Sequence, residues 1–538
     1  AVFDPIEKGL VAFSEWYSKV VRWCITHRKT VTLSAFALII VVVALLAPKV
    51  KTGFFPNSDQ GRLSVTVELP VGTGQEVTGE FAARLYRRFA SEIPEIKVFQ
   101  YRYGQADSDN SFANMMNNGS YLISMNINLG SMEDRDRSTS DIANIIRAEL
   151  AEYPEIKRAM VSEGMGGVGG ATTVALEIYG YDFDETDRVA KEIQEKMLAS
   201  GDFVQVTLSR DEYTPEYQVD FDREKLALNG LSSTTAASAF SAAMSGSVMS
   251  YFREEGDEYN IRVRYAKDYR SSVADIENTI VYTATGKAVR IKELGSVVET
   301  KVPPTIERKN RERYITVTGI TAKGVAMSDG VRSVQDVAKT VNIPNDITTE
   351  MSGDFEDQQE MFADLGTLLL LIFIMVYMVM AAQFENFVNP FVIMFSIPFG
   401  FMGVLLGLWA TGTQLDVISM VGLLILVGIV VNNGIVLIDY INLMRERGMK
   451  VIEATVTAAR SRLRPILMTT LTTVIGMLPL ALGRGEGSEM WRGLGMSVAW
   501  GLTFSTIVTL VLIPTIYCIF ATRHERNRSK KHKEFILK

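Results

Sequence analysis

Histidine and cysteine are nearly absent from this chain of 538 residues, and their absence excludes several classes of function. No histidine lies between residues 28 and 523. A Ser-His-Asp triad, a histidine-ligated zinc site and an HExxH protease helix would all lack their central residue over that interval. The two cysteines, Cys24 and Cys518, lie near opposite ends of the chain, so no disulfide framework can form in the long middle region. These absences argue against a hydrolytic enzyme.

Charged residues are missing from six long apolar stretches. A helix needs about 20 mainly apolar residues to cross the hydrocarbon core of a membrane. The stretches without Asp, Glu, Lys or Arg are 30–48, 365–383, 387–415, 417–438, 465–483 and 493–522. The sequence therefore predicts six membrane-spanning helices.

The small net charge of -7 conceals two opposite regions. Residues 50–364 carry 34 basic and 50 acidic side chains, a net charge of -16, whereas the rest of the chain carries +9. A nucleic-acid binder would place positive charge on its soluble part, so we expect no nucleic-acid partner. The basic residues cluster before the first span, between the fourth and fifth, and after the sixth. With six spans these regions share one side, which the positive-inside rule makes cytoplasmic, and residues 50–364 are predicted to project outward.

The start of the chain does not resemble a secretory signal. It begins at Ala1, and the residues before the first span are partly amphipathic, with Trp16, Arg22 and Trp23 among them. We interpret the sequence as a fragment or as the second half of a longer polypeptide.

The outer region alternates strand and helix patterns. Every second residue is apolar over 63–69, which predicts a half-buried strand, and apolar residues four apart then predict an amphipathic helix. The expected core positions of that helix are Val77, Phe81, Leu85 and Phe89.

This pattern returns three more times, beginning near residues 121, 174 and 314. Short sequences repeat as well, with SEIPEIK at 91–97 and AEYPEIK at 151–157. Residues 215–309 lie between the third and fourth copies. The repeat predicts an α+β outer region of split βαβ modules with one insertion.

Polar side chains inside the predicted spans are candidates for function, because they are costly in hydrocarbon. Asn432 and Asn433 lie about fifteen residues into the fourth span, where they can hydrogen-bond a carboxylate or simply join two helices. Arg462 and Thr469 are seven residues apart and so share one helix face. Arg462 can stabilise a charged carboxylate and Thr469 can relay a hydrogen bond. The alternatives are a positive-inside residue and a small packing residue.

An aromatic and methionine-rich segment at 98–123 is a candidate for contacting a substrate. Core packing is the default explanation for the aromatic residues on its two predicted strands, which are Phe99, Tyr101, Tyr103 and Tyr121. The intervening loop is rich in Gly, Asn and Ser, and packing alone does not account for its apolar residues, which are Phe112, Met115 and Met116. Met and Phe make adaptable contacts with varied apolar ligands.

Four motifs, in this order, resemble the resistance-nodulation-division efflux transporters. They are GFFPNSDQGRLSVTVELPVGT at 53–73, QFENFVNP at 383–390, GIVVNNGIVLIDYIN at 428–442 and RLRPILMTT at 462–470. The resemblance covers essentially all 538 residues and is to the C-terminal half of such a pump.

The resemblance implies a membrane α-helical protein with a periplasmic α+β region of porter modules and a docking subdomain. The implied parts are a cytoplasmic or interfacial segment at 1–29, a transmembrane helix at 30–50, a porter subdomain at 51–165, a second one at 166–214 and 310–360, a docking subdomain at 215–309, five transmembrane helices at 361–522 and a basic cytoplasmic tail at 523–538.

It also implies a function, which is proton-driven efflux of amphiphilic and hydrophobic drugs, detergents and dyes. The protein would be a homotrimeric bacterial inner-membrane antiporter linked to antibiotic resistance, not an enzyme, with no cofactor beyond the proton gradient. Its implied partners are its own N-terminal half, a periplasmic adaptor and an outer-membrane channel. The implied proton-relay residues are Asn432, Asn433, Arg462 and Thr469, and the implied substrate-binding residues are Phe99, Tyr101, Tyr103, Phe112, Met115, Met116 and Tyr121.

One position departs from the family pattern. Asn432 stands where the best-known drug pumps of the family carry Lys, so an exchange of salt bridges on protonation cannot work here in the same form. We expect the titrating Asp residues to lie in the N-terminal half and to hydrogen-bond Asn432 and Asn433 when charged.

Two other functions remain open at this stage. A Cu or Ag exporter of the same superfamily is favoured by thioether ligands, and its candidates are Met115, Met116, Met160 and Met165. An accessory or lipid-sensing membrane protein on the same scaffold would lack transport altogether.

Overall fold

The computed structural model describes residues 4–56, 58–104, 119–164, 172–210, 214–302, 306–483, 485 and 487–536. The chain divides into two compact units. Residues 1–209 and 309–538 form the larger unit, and residues 210–308 form the smaller one.

Helices and strands are numbered in chain order. The helices are α1 (Asp4–Thr26), α2 (Arg28–Leu46), α3 (Gln75–Glu92), α4 (Thr139–Ala151), α5 (Phe183–Ala199), α6 (Arg223–Leu228), α7 (Ser233–Met244), α8 (Val273–Asn278), α9 (Ile291–Leu294), α10 (Met327–Thr340), α11 (Asp354–Phe384), α12 (Val388–Met394), α13 (Ile397–Thr411), α14 (Val417–Glu446), α15 (Val451–Leu482) and α16 (Ser488–Ile536). The strands are β1 (Arg62–Glu68), β2 (Val98–Gly104), β3 (Gly119–Asn128), β4 (Arg158–Glu163), β5 (Thr173–Tyr179), β6 (Phe203–Leu208), β7 (Thr214–Phe221), β8 (Ser247–Glu254), β9 (Asp257–Val263), β10 (Ile280–Tyr282), β11 (Ala288–Arg290), β12 (Gly295–Val302), β13 (Arg308–Lys309), β14 (Glu312–Thr321) and β15 (Thr348–Ser352).

Six helical segments in the described part of the chain are long and apolar enough to cross a membrane. They coincide with the six predicted stretches, although their ends differ. The stretch 387–415 is divided into α12 and α13, and α13 begins one residue before Pro398, where proline is tolerated in a first helical turn. Helix α15 begins at Val451, well before the apolar stretch at 465–483, because charged residues on a solvated face do not end a helix.

The membrane helices pack closely where small residues allow it. A Cβ atom on Gly407 of α13 would lie only 2.4 Å from the Trp500 side chain of α16. Glycine therefore lets these two helices approach to a distance that a larger residue would prevent. Helix α1 packs on the same bundle, where the Tyr17 hydroxyl donates a hydrogen bond to the Leu510 carbonyl at 2.6 Å.

The first α/β module runs β1-α3-β2-β3-α4-β4. Its antiparallel sheet has the strand order β2-β3-β1-β4, and Val65 at its centre lies opposite Met125 and Val161. The two helices cover one face. The expected core of α3 is correct for its last three positions, but Val77 is 59% exposed. Residues four apart on a helix are rotated by about 400°, which is 40° more than a full turn. Over the three steps from Val77 to Phe89 this excess adds up to about 120°, so Val77 lies on a different face from Phe89.

The second module runs β5-α5-β6 and, after the smaller unit, β14-α10-β15. Strand β14 lies between β6 and β5, and β5 also pairs with β15, so the order β6-β14-β5-β15 matches that of the first module. This shared order explains the repeated sequence pattern. Helix α11 then continues from this module into the membrane helices.

In its described residues, the smaller unit contains three antiparallel strand pairs, which are β7 with β12, β8 with β9, and β10 with β11. Its core lies around Val281, Ile291 and Leu294, all fully buried. The β8–β9 hairpin is exposed along nearly its whole length.

Candidate functional site

Asn433 lies at the centre of a buried polar contact among three membrane helices. It is only 7% exposed on α14. Its Nδ2 atom donates to the Thr470 hydroxyl of α15 at 3.2 Å and to the Thr506 hydroxyl of α16 at 3.3 Å. The two hydroxyls are also hydrogen-bonded to each other at 3.2 Å. Because both amide hydrogens of Asn433 are used, this residue joins helices within the chain.

Asn432 and Thr469 do not lie on the side of their helices that carries the buried contact. Both are exposed, and each comes one residue before a partner in the buried contact, Asn433 or Thr470. Helices α14 and α15 run antiparallel, since residues 447–450 connect them directly. One residue corresponds to a 100° rotation. In an antiparallel pair, the residues that precede two contacting residues rotate toward the same side, so Asn432 and Thr469 share one side of the α14–α15 pair.

Neither side chain forms a relay inside the described chain. The Thr469 hydroxyl donates to the Ile466 carbonyl of its own helix at 3.0 Å. Asn432 has no hydrogen bond to any described residue. Among the described residues, neither side chain is therefore hydrogen-bonded to another helix.

Arg462 is partly buried on α15, where its guanidinium group contacts an aromatic ring. Its guanidinium carbon lies 4.4 Å from the ring centroid of Tyr440 on α14. The buried Nε atom has no hydrogen-bond partner, and among the described residues Arg462 has no carboxylate within ion-pair distance. Within the described residues, no acidic side chain therefore neutralises the positive charge of Arg462.

Asp439 and Asp416 do not supply a carboxylate to Arg462. Asp439 is exposed, one position before Tyr440. Asp416 is 1% exposed and precedes α14, where it accepts hydrogen bonds from the backbone nitrogen and the hydroxyl of Ser419 at 2.7 and 2.8 Å. Burial raises the pKa of Asp416 above its ordinary value, and the Ser419 hydrogen bonds oppose that rise in part. Asp416 is the N-cap of α14.

The aromatic strand residues form a ladder at the edge of the first module. The Phe99 and Tyr101 centroids lie 6.1 Å apart, and Tyr101 stacks on Tyr103 at 6.4 Å. The Tyr103 ring lies over α3 so closely that a Cβ on Gly79 would be 2.7 Å from it. Tyr103 nevertheless remains 43% exposed. The ladder is therefore attached to the core on one side and open on the other.

The other members of the predicted substrate segment divide into two groups. Tyr121 is partly buried against the core of the first module. Phe112, Met115 and Met116 lie outside the described residues. The sequence interpretation missed Tyr86 of α3, which is 41% exposed and whose ring lies 5.1 Å from Phe99. The sequence did contain a signal for Tyr86, since it is an aromatic residue at a helix position outside the predicted apolar stripe of α3.

The described residues give little support to a metal centre. They contain no cluster of three or more His, Cys, Asp or Glu side chains suited to a metal ion. Met160 on β4 is 38% exposed, while Met115, Met116 and Met165 lie outside the described part of the chain.

The fold is that of resistance-nodulation-division efflux pumps. Crystal form II of a heavy metal efflux pump is 25% identical to this chain with a TM-score of 0.75, and the match covers 96% of this chain and 53% of the pump. Crystal form I gives 24% identity and a TM-score of 0.74 over 95% of this chain and 51% of the pump. Together with the apolar helices, this similarity makes the chain part of a multi-pass membrane protein.

The chain belongs to the AcrB/AcrD/AcrF family, whose sequence profile matches residues 1–521, and the predicted family is confirmed. The swarming motility protein SwrC of Bacillus subtilis (strain 168) is 28% identical over 94% of this chain and 47% of its own length. The multidrug resistance protein MdtC of Proteus mirabilis (strain HI4320) is 23% identical over 98% of this chain and 50% of its own length. The chain thus spans about half the length of the curated relatives it matches.

Proposed function

We propose that this chain is the C-terminal half of a proton-driven transporter that exports amphiphilic and hydrophobic compounds. The observation that carries the proposal is the uncovered polar side of the α14–α15 pair. Asn432 and Thr469 share that side, and Arg462 nearby has no acidic partner among the described residues.

Polar groups exposed on membrane helices are costly unless another group covers them. The matched relatives are about twice as long as this chain, so a second half can supply the cover. The second half could place one carboxylate beside Asn432 and another beside the Arg462 guanidinium, about two helical turns away. The first would accept a hydrogen bond from Asn432, and the second would be stabilised by the Arg462 charge. Neutralising these carboxylates by protons would weaken both interactions, which is the change that a proton-coupled transporter requires.

The structure narrows the role expected of the two Asn residues. Asn433 donates both amide hydrogens to Thr470 and Thr506, so it is not the group that receives a carboxylate. We assign the contact with the second half to Asn432 and a helix-joining role to Asn433.

The parts outside the membrane receive their functions by the same proposal. We assign the two α/β modules to porter subdomains in the periplasm and residues 215–309 to docking against an outer-membrane channel. The complete protein would act as a homotrimer in the bacterial inner membrane, with a periplasmic adaptor. The matching strand order of the two modules supports a pair of porter subdomains that open and close against each other.

Amphiphilic substrates are favoured by the aromatic ladder. Its open side presents Tyr103, which combines an apolar ring with a hydroxyl group. Export of a soft metal ion is the second candidate, because a heavy metal efflux pump shares the fold and Met160 is partly exposed.

The decisive experiment uses the complete transporter, reconstituted in liposomes with an imposed pH gradient. Fluorescent amphiphiles of differing charge are assayed beside Ag⁺. We expect gradient-dependent movement of the amphiphiles, which Arg462→Ala abolishes and Asn432→Ala reduces. Arg464→Ala is the matched control, since it removes an exposed cation two residues away on the same helix.

The other outcomes are equally informative. Movement of Ag⁺ alone would establish the metal-exporter alternative. If correctly folded protein in the liposomes moves neither cargo, the result would favour an accessory or lipid-sensing protein. Unchanged coupling in Asn432→Ala would remove Asn432 from the proposed contact with the second half.

A further inference from the structure

The Tyr440 ring lies against the Arg462 guanidinium, a contact that the proposed function does not use. The separation between the guanidinium carbon and the ring centroid is 4.4 Å, well within the roughly 6 Å limit for a cation–π interaction. The ring is partly buried against the membrane core, so water screens this contact less than it would a surface contact.

The ring, rather than the hydroxyl group, makes this contact. Tyr440 forms no hydrogen bond to any described residue. The guanidinium also has no ion-pair partner in the described ranges, and its Nε atom is buried without a hydrogen bond. The face of the aromatic ring is thus the group that stabilises the positive charge of Arg462 in this half of the protein.

The register of the two helices connects this contact to the buried polar one. Tyr440 lies seven residues after Asn433 on α14, and Arg462 lies eight residues before Thr470 on α15. Tyr440 is about two helical turns from Asn433 and so lies near the same face of α14. Arg462 is rotated by about 80° from Thr470, which puts it on the Thr469 face of α15. Its long side chain reaches the Tyr440 ring from that face. Two turns separate the contacts by roughly 11 Å along the helices.

We infer that Tyr440 is a positioning residue, whose ring holds the Arg462 guanidinium in the orientation that receives a carboxylate of the second half. This inference rests on the proposed function. A long Arg side chain without a partner would otherwise extend toward the polar membrane boundary, as cationic side chains near helix ends do. The ring keeps the charge within the helix pair while leaving its hydrogen-bond donors available for a carboxylate.

The test replaces Tyr440 in the complete transporter and measures gradient-driven transport in liposomes. Tyr440→Phe keeps the ring and should retain activity. Tyr440→Leu keeps an apolar side chain of similar burial but has no π face, and we expect transport to fall roughly 3- to 30-fold. A series of phenylalanines with one, two, three and five ring fluorines is then incorporated at position 440.

Fluorine withdraws electron density from the ring face while changing its size little. Stepwise loss of transport with fluorination, at constant thermal stability, would support the inference, because a purely structural role would not respond in this way. This series also decides the matter if Tyr440→Leu fails to fold.

Equal transport across the fluorinated series, with the unmodified protein active, would overturn the role of Tyr440 and leave the proposed function intact. If the unmodified protein itself shows no gradient-driven transport, the proposed function fails instead.

Discussion

Replacing Asp59 by asparagine should destabilise the first module more than any neighbouring surface change. The Asp59 carboxylate accepts hydrogen bonds from the Arg135 guanidinium and the Thr139 hydroxyl, and from the Thr139 backbone nitrogen at 3.0 Å. The Arg135 side chain is 1% exposed and that of Asp59 is 14% exposed. The substitution would leave a buried guanidinium without its counter-charge.

The size of the effect follows from this burial. Removing one partner of a buried ion pair costs about 3–5 kcal/mol. The amide of the substituted side chain would retain an oxygen for Thr139, so we take the lower end, about 3 kcal/mol. At 1.4 kcal/mol per factor of ten, local unfolding of the module becomes roughly 100 times more frequent.

Hydrogen exchange followed by mass spectrometry measures this directly. Amides of β1 and α4 in the complete protein should exchange about 100-fold faster in Asp59→Asn. The matched control is Asp134→Asn, since the Lys97–Asp134 pair has side chains that are 54% and 58% exposed, and such exposed pairs contribute little to stability. If both variants exchange at nearly the same rate, the buried ion pair does not carry the energy assigned to it.

Three further predictions concern the same unit. Burial raises the pKa of Asp59, but the hydrogen bonds from Arg135 and Thr139 outweigh it and hold the pKa below its ordinary value. The carboxylate therefore stabilises the fold above that ordinary value and loses the effect as the pH falls through the lowered pKa. The exchange difference between wild type and Asp59→Asn should therefore be constant from about pH 8 to pH 5 and narrow below about pH 4, and a constant difference at low pH would contradict this assignment. Asn433→Ala should lower the melting temperature in detergent, because it removes a contact worth about 1 kcal/mol, whereas Asn432→Ala should leave the melting temperature unchanged. Equal melting temperatures of the two variants would argue against the helix-joining role of Asn433. Gly79→Ala should cost about 1–3 kcal/mol of unfolding free energy, because the added methyl group would clash with the Tyr103 ring. Gly74→Ala adds a methyl group into open space and should cost far less. A chemical denaturation series that fails to separate the two variants would refute the close packing.

The sequence was sufficient for the membrane helices and for the repeated modules, because both depend on local patterns. Absence of charge over about 20 residues locates a span, and alternation locates a strand. Helix ends were less predictable. The charged residues before 465 mark the edge of an apolar stretch, yet α15 begins at Val451, since helix formation depends on backbone hydrogen bonds and not on apolarity.

The candidate site could be predicted only in part. The sequence places Asn432 and Asn433 side by side, but the 100° rotation between them gives one an exposed position and the other a buried one. Which of the two faces neighbouring helices depends on tertiary packing. Thr506 and Tyr440 were missed for the same reason, because Thr506 comes 73 residues after its partner Asn433 and nothing local distinguishes either residue.

The insertion in the second module has a consequence for how the chain folds. The strands of the first module all lie within residues 62–163, so this module can close as soon as that segment has been synthesised. In the second, Ile178 pairs with Ile315, and the sheet is completed only at Ser352. Because domains tend to fold as they emerge, β5 and β6 must wait with unpaired edges while more than a hundred further residues are made. Truncation or stalled synthesis between 209 and 352 would therefore produce an aggregation-prone intermediate, whereas stalling after 163 would leave a finished module.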